Sequence, residues 1–464
     1  MLQHALATLS TSNLIFLIIA IIAVCVFEFV NGFHDTANAV AIVIYTKSLK
    51  PLAAVIWSGT WNFLGVWLGG IAVAVSIMNL LPVGEMMSMS LGENITLIFA
   101  VLLTAISWNL LTWYLAIPCS SSHTLIGSIL GAGMGFFWRH GGNGINWHKA
   151  EDIGLSLLLS PAFGFSVVIA LLFLVKTVVR NKEFFKDPSQ NNNRPPPMLI
   201  RLALLITCTL VSFYHGNNDG QKGVGILMIV LLTMLPGYYA LNPEIKVDKM
   251  EQAVAKMKEA TNQYRSADAL DPHHEVIAML DDLELQLASL KSSDGATRLV
   301  VRKKFQFFSK KAKTLLAEPD FIPDNANHKE FQHGLAVIKD SSEFAPVEAI
   351  LLISLALGFG TMIGWKRIVV TIGEKIGKTH LNYAQGVIAQ LVAAATIGLS
   401  SGFGLPVSTT HVLSSGIAGS MVGMGGVKNL QKSTISSIAM AWLLTLPVTF
   451  VAALGFYYLF QLFV

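Results

Sequence analysis

Two short polar stretches hold the residues best able to do chemistry in this chain. The first reads Glu28-Phe-Val-Asn31-Gly-Phe-His34-Asp35-Thr-Ala-Asn38 and lies between apolar runs at 13–26 and 39–44. The second reads Tyr214-His215-Gly216-Asn217-Asn218-Asp219-Gly220-Gln221-Lys222. Gly32 and Asp35 fall on Gly216 and Asp219 at one constant offset of 184 positions. Lipid gives a carboxylate no partner, so Asp and Glu at membrane depth are costly and usually mark a substrate or ion path. A structural ion pair would explain a single copy. Two copies with matched spacing point to two polar interruptions that face each other across one substrate, with Glu28 behind them as a support or proton relay.

A second element, Pro-x-Ser-[Ser/Thr]-[Ser/Thr]-His, is duplicated as well. Pro118-Cys-Ser120-Ser121-Ser122-His123-Thr124 recurs as Pro406-Val-Ser408-Thr409-Thr410-His411-Val412 at an offset of 288. Proline interrupts a helix and the residues after it can open a new one. Ser120, Ser121, Ser122 and Thr124, like Ser408, Thr409 and Thr410, then lie at or near a helix N-terminus. Free N–H groups and hydroxyls there suit a tetrahedral oxyanion. Ser and Thr also serve as plain N-caps. For His123 and His411 a packing role, a support role and a proton-relay role all stay open.

The elements that must position these residues are membrane helices. Only 13% of the 464 residues are charged and mean hydropathy is +0.58, where a soluble domain carries roughly 25% charged residues. Apolar blocks fall near 13–46, 51–82, 95–117, 119–138, 153–180, 199–238, 346–365, 384–404, 406–424 and 434–463. Several exceed the roughly 20 residues a span needs, so the expected architecture is all-α and polytopic, with broken helices, re-entrant hairpins and about 10–12 membrane segments. A net charge of +4 gives no case for nucleic acid. The N-terminus lacks a basic n-region, so no cleavable leader is expected and the first span serves as its own signal. Cys25, Cys119 and Cys208 lie scattered in apolar segments with neither disulfide nor metal spacing.

Two departures divide the chain. Residues 181–198, with Asn191-Asn-Asn and Pro195-Pro-Pro, read as a cytoplasmic linker flanked by basic residues, on the positive-inside rule. Residues 242–344 hold 15 of the 32 basic and 17 of the 28 acidic residues and read as a soluble helical insertion, placed outside by the crossing count. Its His273, His274, His328 and His333 read as surface histidines. The two motif offsets differ by 104, close to the insertion's length. Without it, residues 1–180 superpose in motif order on 199–241 plus 345–464. Five blocks precede the second copy, and an odd number inverts the second repeat about an axis in the membrane plane. The glycine rows at 65/69/70, 127/131/135 and 416/419/423 read as close helix packing.

The two motif pairs, with Gly360-Thr-Met-Ile-Gly-Trp-Lys-Arg and Thr371-Ile-Gly-Glu-Lys-Ile-Gly-Lys, resemble the inorganic phosphate transporter (PiT) family. The likeness is closest to its bacterial low-affinity, proton-coupled PitA-type members. The resemblance implies a secondary transporter, not an enzyme, in the bacterial inner membrane. It implies inorganic phosphate as substrate, carried as a neutral complex with a divalent cation together with a proton, no permanently bound cofactor, and a homodimer in the bilayer. By position, Asp35, Asn38, Asn218 and Asp219 would form the core of the site, joined by Asn31, His34, Asn217 and Lys222. Ser120, Ser121, Ser122, Thr124, Ser408, Thr409 and Thr410 would donate from the hairpin tips. Sodium-coupled members generally read Gly-x-Asn-Asp in the first motif, whereas this chain has Gly32-Phe33-His34-Asp35. An imidazole weakens a sodium site and titrates near neutral pH, so the expected coupling ion is H+, with His34 and Asp35 as carriers. Lys222, where the first copy has Asn38, would neutralise Asp219 or contact phosphate. The residues name no metal ligand set. The alternatives are sodium coupling, another oxyanion such as sulfate, the metal itself as cargo, or a receptor or membrane-embedded enzyme.

Overall fold

The computed structural model describes residues 9–463 except 88, 142–143, 193, 265–270, 291–294, 319–320, 365–368 and 370–374. The motif positions 365–367 and 371–374 lie outside the described residues. Every regular element described is helical, and one isolated bridge joins Gly377 to Leu430. The chain divides into two compact units. One comprises Phe16–Pro82, Gly92–Ile229 and Pro346–Val464; the other comprises Met1–Ile15, Val83–Leu91 and Val230–Ala345.

The first unit is built from α1 (Thr11–Tyr45), α2 (Pro51–Leu68), α3 (Ala72–Met78), α4 (Leu91–Tyr114), α5 (Ser121–His140) and α6 (Trp147–Val178). Then come α7 (Met198–His215), a π turn at Gly216–Gly220, α8 (Gln221–Met234) and, after the second unit, α13 (Val347–Thr361), α14 (Tyr383–Gly402), α15 (Thr409–Gly425) and α16 (Lys432–Phe460). Among the described residues six helical segments are long and apolar enough to span a bilayer: α1, α4, α6, the run Met198–Met234, α14 and Lys432–Phe463. α2 and α3 form one apolar segment bent by 72°. Leu158 and Phe173 on α6, and Leu443 and Val451 on α16, stay exposed, as a lipid-facing surface requires.

The duplication in sequence reappears as reciprocal packing. α5 packs on α16 and α6 on α15; α2 packs on α13. α6 and α16 each carry one internal proline, Pro161 and Pro447. Gly32 and Gly216 make the same contact in opposite directions. A Cβ on Gly32 would meet the backbone of Leu357 and Thr361 on α13, and one on Gly216 would meet the Asn62 backbone on α2. Thr36 reinforces the first approach, donating to the carbonyls of Gly32 (2.6 Å) and Thr361 (2.9 Å).

This contact explains a difference from expectation. The first polar motif interrupts hydrophobicity but not the helix: α1 runs unbroken through Glu28–Asn38. His34, Asp35, Thr36 and Asn38 find partners on other segments and Asn31 pairs with Glu28 within α1, so the backbone keeps its own ladder. The second motif distorts the helix by a single π turn, a form common at functional sites.

The second unit contains α9 (Val247–Asn262), α10 (Pro272–Leu290), α11 (Gly295–Leu316) and α12 (Asn325–Ser342). Their amphipathic faces close on a core that includes Met250, Val254, Leu280, Leu283, Phe305, Phe308 and Phe331. Asp324 caps α12 by accepting from Ala326 and Asn327. His273 is a correction to the surface reading. It is buried and stacks on Phe321 with ring centroids 4.7 Å apart; its nitrogens bond Asp271 (2.5 Å) and the Phe321 carbonyl (2.6 Å). Two fixed ring bonds make it a packing residue.

Candidate functional site

α1 and the α7–π–α8 run bring the two polar motifs to the N-termini of α5 and α15, all within the first unit. Ser120 and Ser408 occupy the N-cap positions, each accepting from the backbone N–H three residues on, at His123 (3.1 Å) and His411 (3.1 Å). Residues 121–122 and 409–410 thus lie in first turns with free N–H groups. Glu28, Asp35, Asp219 and Lys222 are all at most 2% exposed, so each must be satisfied by protein or by cargo.

Asp35 is densely held. Its Oδ1 accepts from the Thr410 hydroxyl (2.9 Å) and faces His34 Nδ1 (3.1 Å), and its Oδ2 accepts from Ser121 (2.6 Å). Asn38 Nδ2 donates to Thr410 Oγ1 (2.8 Å), which commits the Thr410 hydrogen to the carboxylate. One residue from each half therefore donates to one carboxylate.

Asp219 is held differently. Lys222 Nζ stands 2.9 Å from its Oδ1 as an ion pair, yet neither carboxylate oxygen receives a directed hydrogen bond. Thr409, the repeat counterpart of Ser121, also has a buried hydroxyl without a partner. The Asn218 side chain is held by the second half itself. It braces the loop before α15, donating to Ser401 Oγ (3.0 Å) and the Leu405 carbonyl (3.1 Å) and accepting from the Val407 N–H (3.1 Å). Two hydroxyls donate to Asp35, whereas Asp219 faces the Lys222 ammonium and receives no hydroxyl.

His215 joins the two. Its Nε2 lies 3.7 Å from Asp35 Oδ2 and 3.9 Å from Asp219 Oδ2 and has no hydrogen-bond partner. Its Nδ1 is 2.6 Å from Asn62 Oδ1. Asn62 is oriented by its own Nδ2, which donates to Thr361 (3.3 Å) and Ser58 (3.4 Å). The amide oxygen thus faces the ring, so Nδ1 carries a hydrogen and Nε2 is directed between the two carboxylates. Asp35, His215 and Asp219 offer ligand atoms within 4.8 Å of one another, the one such group among the described residues. With Nε2 free of a hydrogen the three would offer a cation three ligand atoms, and an imidazole whose far N–H is anchored is a typical metal ligand.

The other candidates lie around this centre. Asn31 donates to Glu28 Oε2 (3.2 Å), and Glu28 packs where a Cβ on Gly223 would stand, leaving its Oε1 without a partner. Asn217 points away toward Gly69 and accepts from Gln221 (2.5 Å). Thr124 bonds back to the Ser120 carbonyl (3.0 Å). Ser122 donates to the Val407 carbonyl (2.7 Å). His123 and His411 meet ring to ring at 4.4 Å, and His411 stacks on Trp442 at 3.9 Å. The sequence reading did not single out His215, Asn62 or Thr112. His215 had a visible signal, four residues before Asp219 in the same motif; Asn62 and Thr112 come from other helices and had none.

A sequence profile described as the phosphate transporter family matches residues 31–453. A low-affinity inorganic phosphate transporter of Buchnera aphidicola (subsp. Acyrthosiphon pisum) is 38% identical, with 97% of each chain covered. The low-affinity inorganic phosphate transporter PitA of Escherichia coli K12 is 37% identical over 98% of this chain and 99% of its own. A solved structure described as the sodium-dependent phosphate transporter superposes with a TM-score of 0.56 at 21% identity, covering 97% of this chain and all of that one, a likeness of fold.

Proposed function

The chain belongs to the phosphate transporter family, and from that premise we propose that it moves inorganic phosphate across the membrane as a metal–phosphate complex coupled to protons. The observation that carries the reading is the convergence of Asp35, His215 and Asp219 beside two helix N-termini. A phosphate anion cannot approach bare carboxylates. One pair of like charges about 4 Å apart costs roughly 4 kcal/mol at an effective dielectric of 20. A divalent cation on the two carboxylates and His215 Nε2 reverses that sign. Phosphate oxygens would then bridge the cation to the Thr409 hydroxyl and the free N–H groups of α5 and α15.

The coupling proton is assigned to the His34–Asp35 pair. Thr112 Oγ1 donates to the Trp108 carbonyl (2.9 Å), so it accepts from His34 Nε2 (3.2 Å). His34 Nδ1 then meets Asp35 Oδ1 acceptor to acceptor unless one proton sits between them. The reciprocal packing of α5 on α16 and α6 on α15 supports alternating access, in which rocking one half against the other would expose the site first to one side and then to the other.

Labelled-phosphate uptake into proteoliposomes, with proton or sodium gradients imposed separately and Mg2+, Mn2+ or chelator present, tests this reading. Uptake driven by a proton gradient, abolished by an uncoupler and by chelation, is expected. Uptake driven by sodium and indifferent to pH and chelator refutes it.

A further inference from the structure

Lys222 is 1% exposed, and its ammonium is surrounded by three oxygens from three separate segments. These are Asp219 Oδ1 at 2.9 Å, Ser122 Oγ at 2.5 Å and the Val407 carbonyl at 3.1 Å. A carboxylate, a hydroxyl and a main-chain carbonyl at the end of an interrupted helix are what a small hard cation takes as ligands. The other half of the molecule supplies an internal control. Asn38 holds the place of Lys222 and Thr410 the place of Ser122, and Asn38 Nδ2 donates to Thr410 Oγ1 at 2.8 Å. The two halves thus make the same side-chain contact, one with an amide and one with an ammonium.

We infer that Lys222 is a tethered cation: its ammonium fills an oxygen cage built for a monovalent ion and frees the carrier from sodium. The inference rests on the transport reading and adds to it which residue sets the choice of coupling ion. Removing the ammonium while keeping the oxygens leaves a cage for a free ion. Lys222→Asn restores the residue of the other half, and Lys222→Ala leaves room for a small exogenous cation.

Both variants and the wild-type protein are to be purified in choline buffer and titrated with sodium, with two readouts. Labelled-sodium retention and sodium-dependent gain in thermal stability report the cage itself, whether or not phosphate moves; phosphate uptake into proteoliposomes reports its use. We expect wild-type protein to ignore sodium in both. We expect Lys222→Asn to bind sodium and to lose uptake at least tenfold without it, as removal of one partner of a buried ion pair implies, with sodium restoring most of the loss. Lys222→Ala should be rescued by sodium or methylammonium and not by neutral solutes. Folded variants that neither bind sodium nor respond to it overturn the inference, as do variants that fail to assemble with or without it. Wild-type protein that moves no phosphate under any gradient would overturn the transport reading instead, and sodium binding by the variants would still decide the cage.

Discussion

Asn62→Ala tests the central geometry without altering any group that faces the cargo. Asn62 Oδ1 takes the Nδ1 hydrogen of His215 at 2.6 Å and so fixes which nitrogen is left as a ligand. Without it the ring is free to rotate and to carry its hydrogen on Nε2, which presents a donor to both carboxylates and no ligand to a cation. The hydrogen bond itself is worth about 1 kcal/mol net. Loss of the partner that orients a metal-binding histidine costs about 10–100-fold in metal affinity, equivalent to roughly 1.4–2.8 kcal/mol. The half-saturating concentration of divalent cation for phosphate uptake should rise by that factor in Asn62→Ala, with the maximal rate nearly preserved at saturating metal. Asn62→Asp keeps an oxygen in place and should recover most of the affinity. The assay is proteoliposome uptake titrated with Mn2+ or Mg2+ at fixed phosphate. An unchanged metal dependence in Asn62→Ala, or an equal loss in Asn62→Asp, refutes the assignment of His215 as a ligand.

Asp35→Asn and Asp219→Asn should each abolish uptake while the protein still inserts and purifies as a folded species; near-normal transport in either variant removes that residue from the site. His34→Gln should leave phosphate exchange measurable while removing its acceleration by an imposed proton gradient, read as uptake at fixed phosphate with and without the gradient. In the insertion, burial holds the Glu343 carboxyl above its usual range, against the pull of Lys339 and Arg302. The folded state therefore binds that proton more tightly than the unfolded chain, and this group's contribution to stability is full below the unfolded value and lost as pH rises toward the raised one. Glu343→Gln should flatten the fall, measured as hydrogen-exchange protection of α12 in full-length protein as pH is raised from the ordinary carboxylate range.

Much of this site was legible before any coordinates because it is written twice. The matched offsets of Asp35 with Asp219 and of Ser121 with Thr409 required both halves to serve one centre, and the proline ahead of each hydroxyl row placed those rows at helix starts. What sequence could not show is how far the copies have diverged in three dimensions. Asp35 and Asp219 look equivalent on paper, yet one accepts from two hydroxyls and the other from none, facing the Lys222 ammonium instead. Asn217 looks like a ligand, but the π turn rotates it toward Gly69. Thr112 and Asn62 are unremarkable within their own helices, and only tertiary packing sets them against His34 and His215.

The mutual grip of the halves has a consequence for how the molecule is made. Asp35 leaves the ribosome early, but the Thr410 hydroxyl that stabilises it is encoded 375 positions later, and the Thr361 carbonyl that clasps Thr36 follows by 325. Throughout most of synthesis α1 must therefore wait in the bilayer with only His34 and Ser121 on its carboxylate and its glycine face unclasped. Biogenesis, more than the finished carrier, is where a chaperone or an insertase has something to shield.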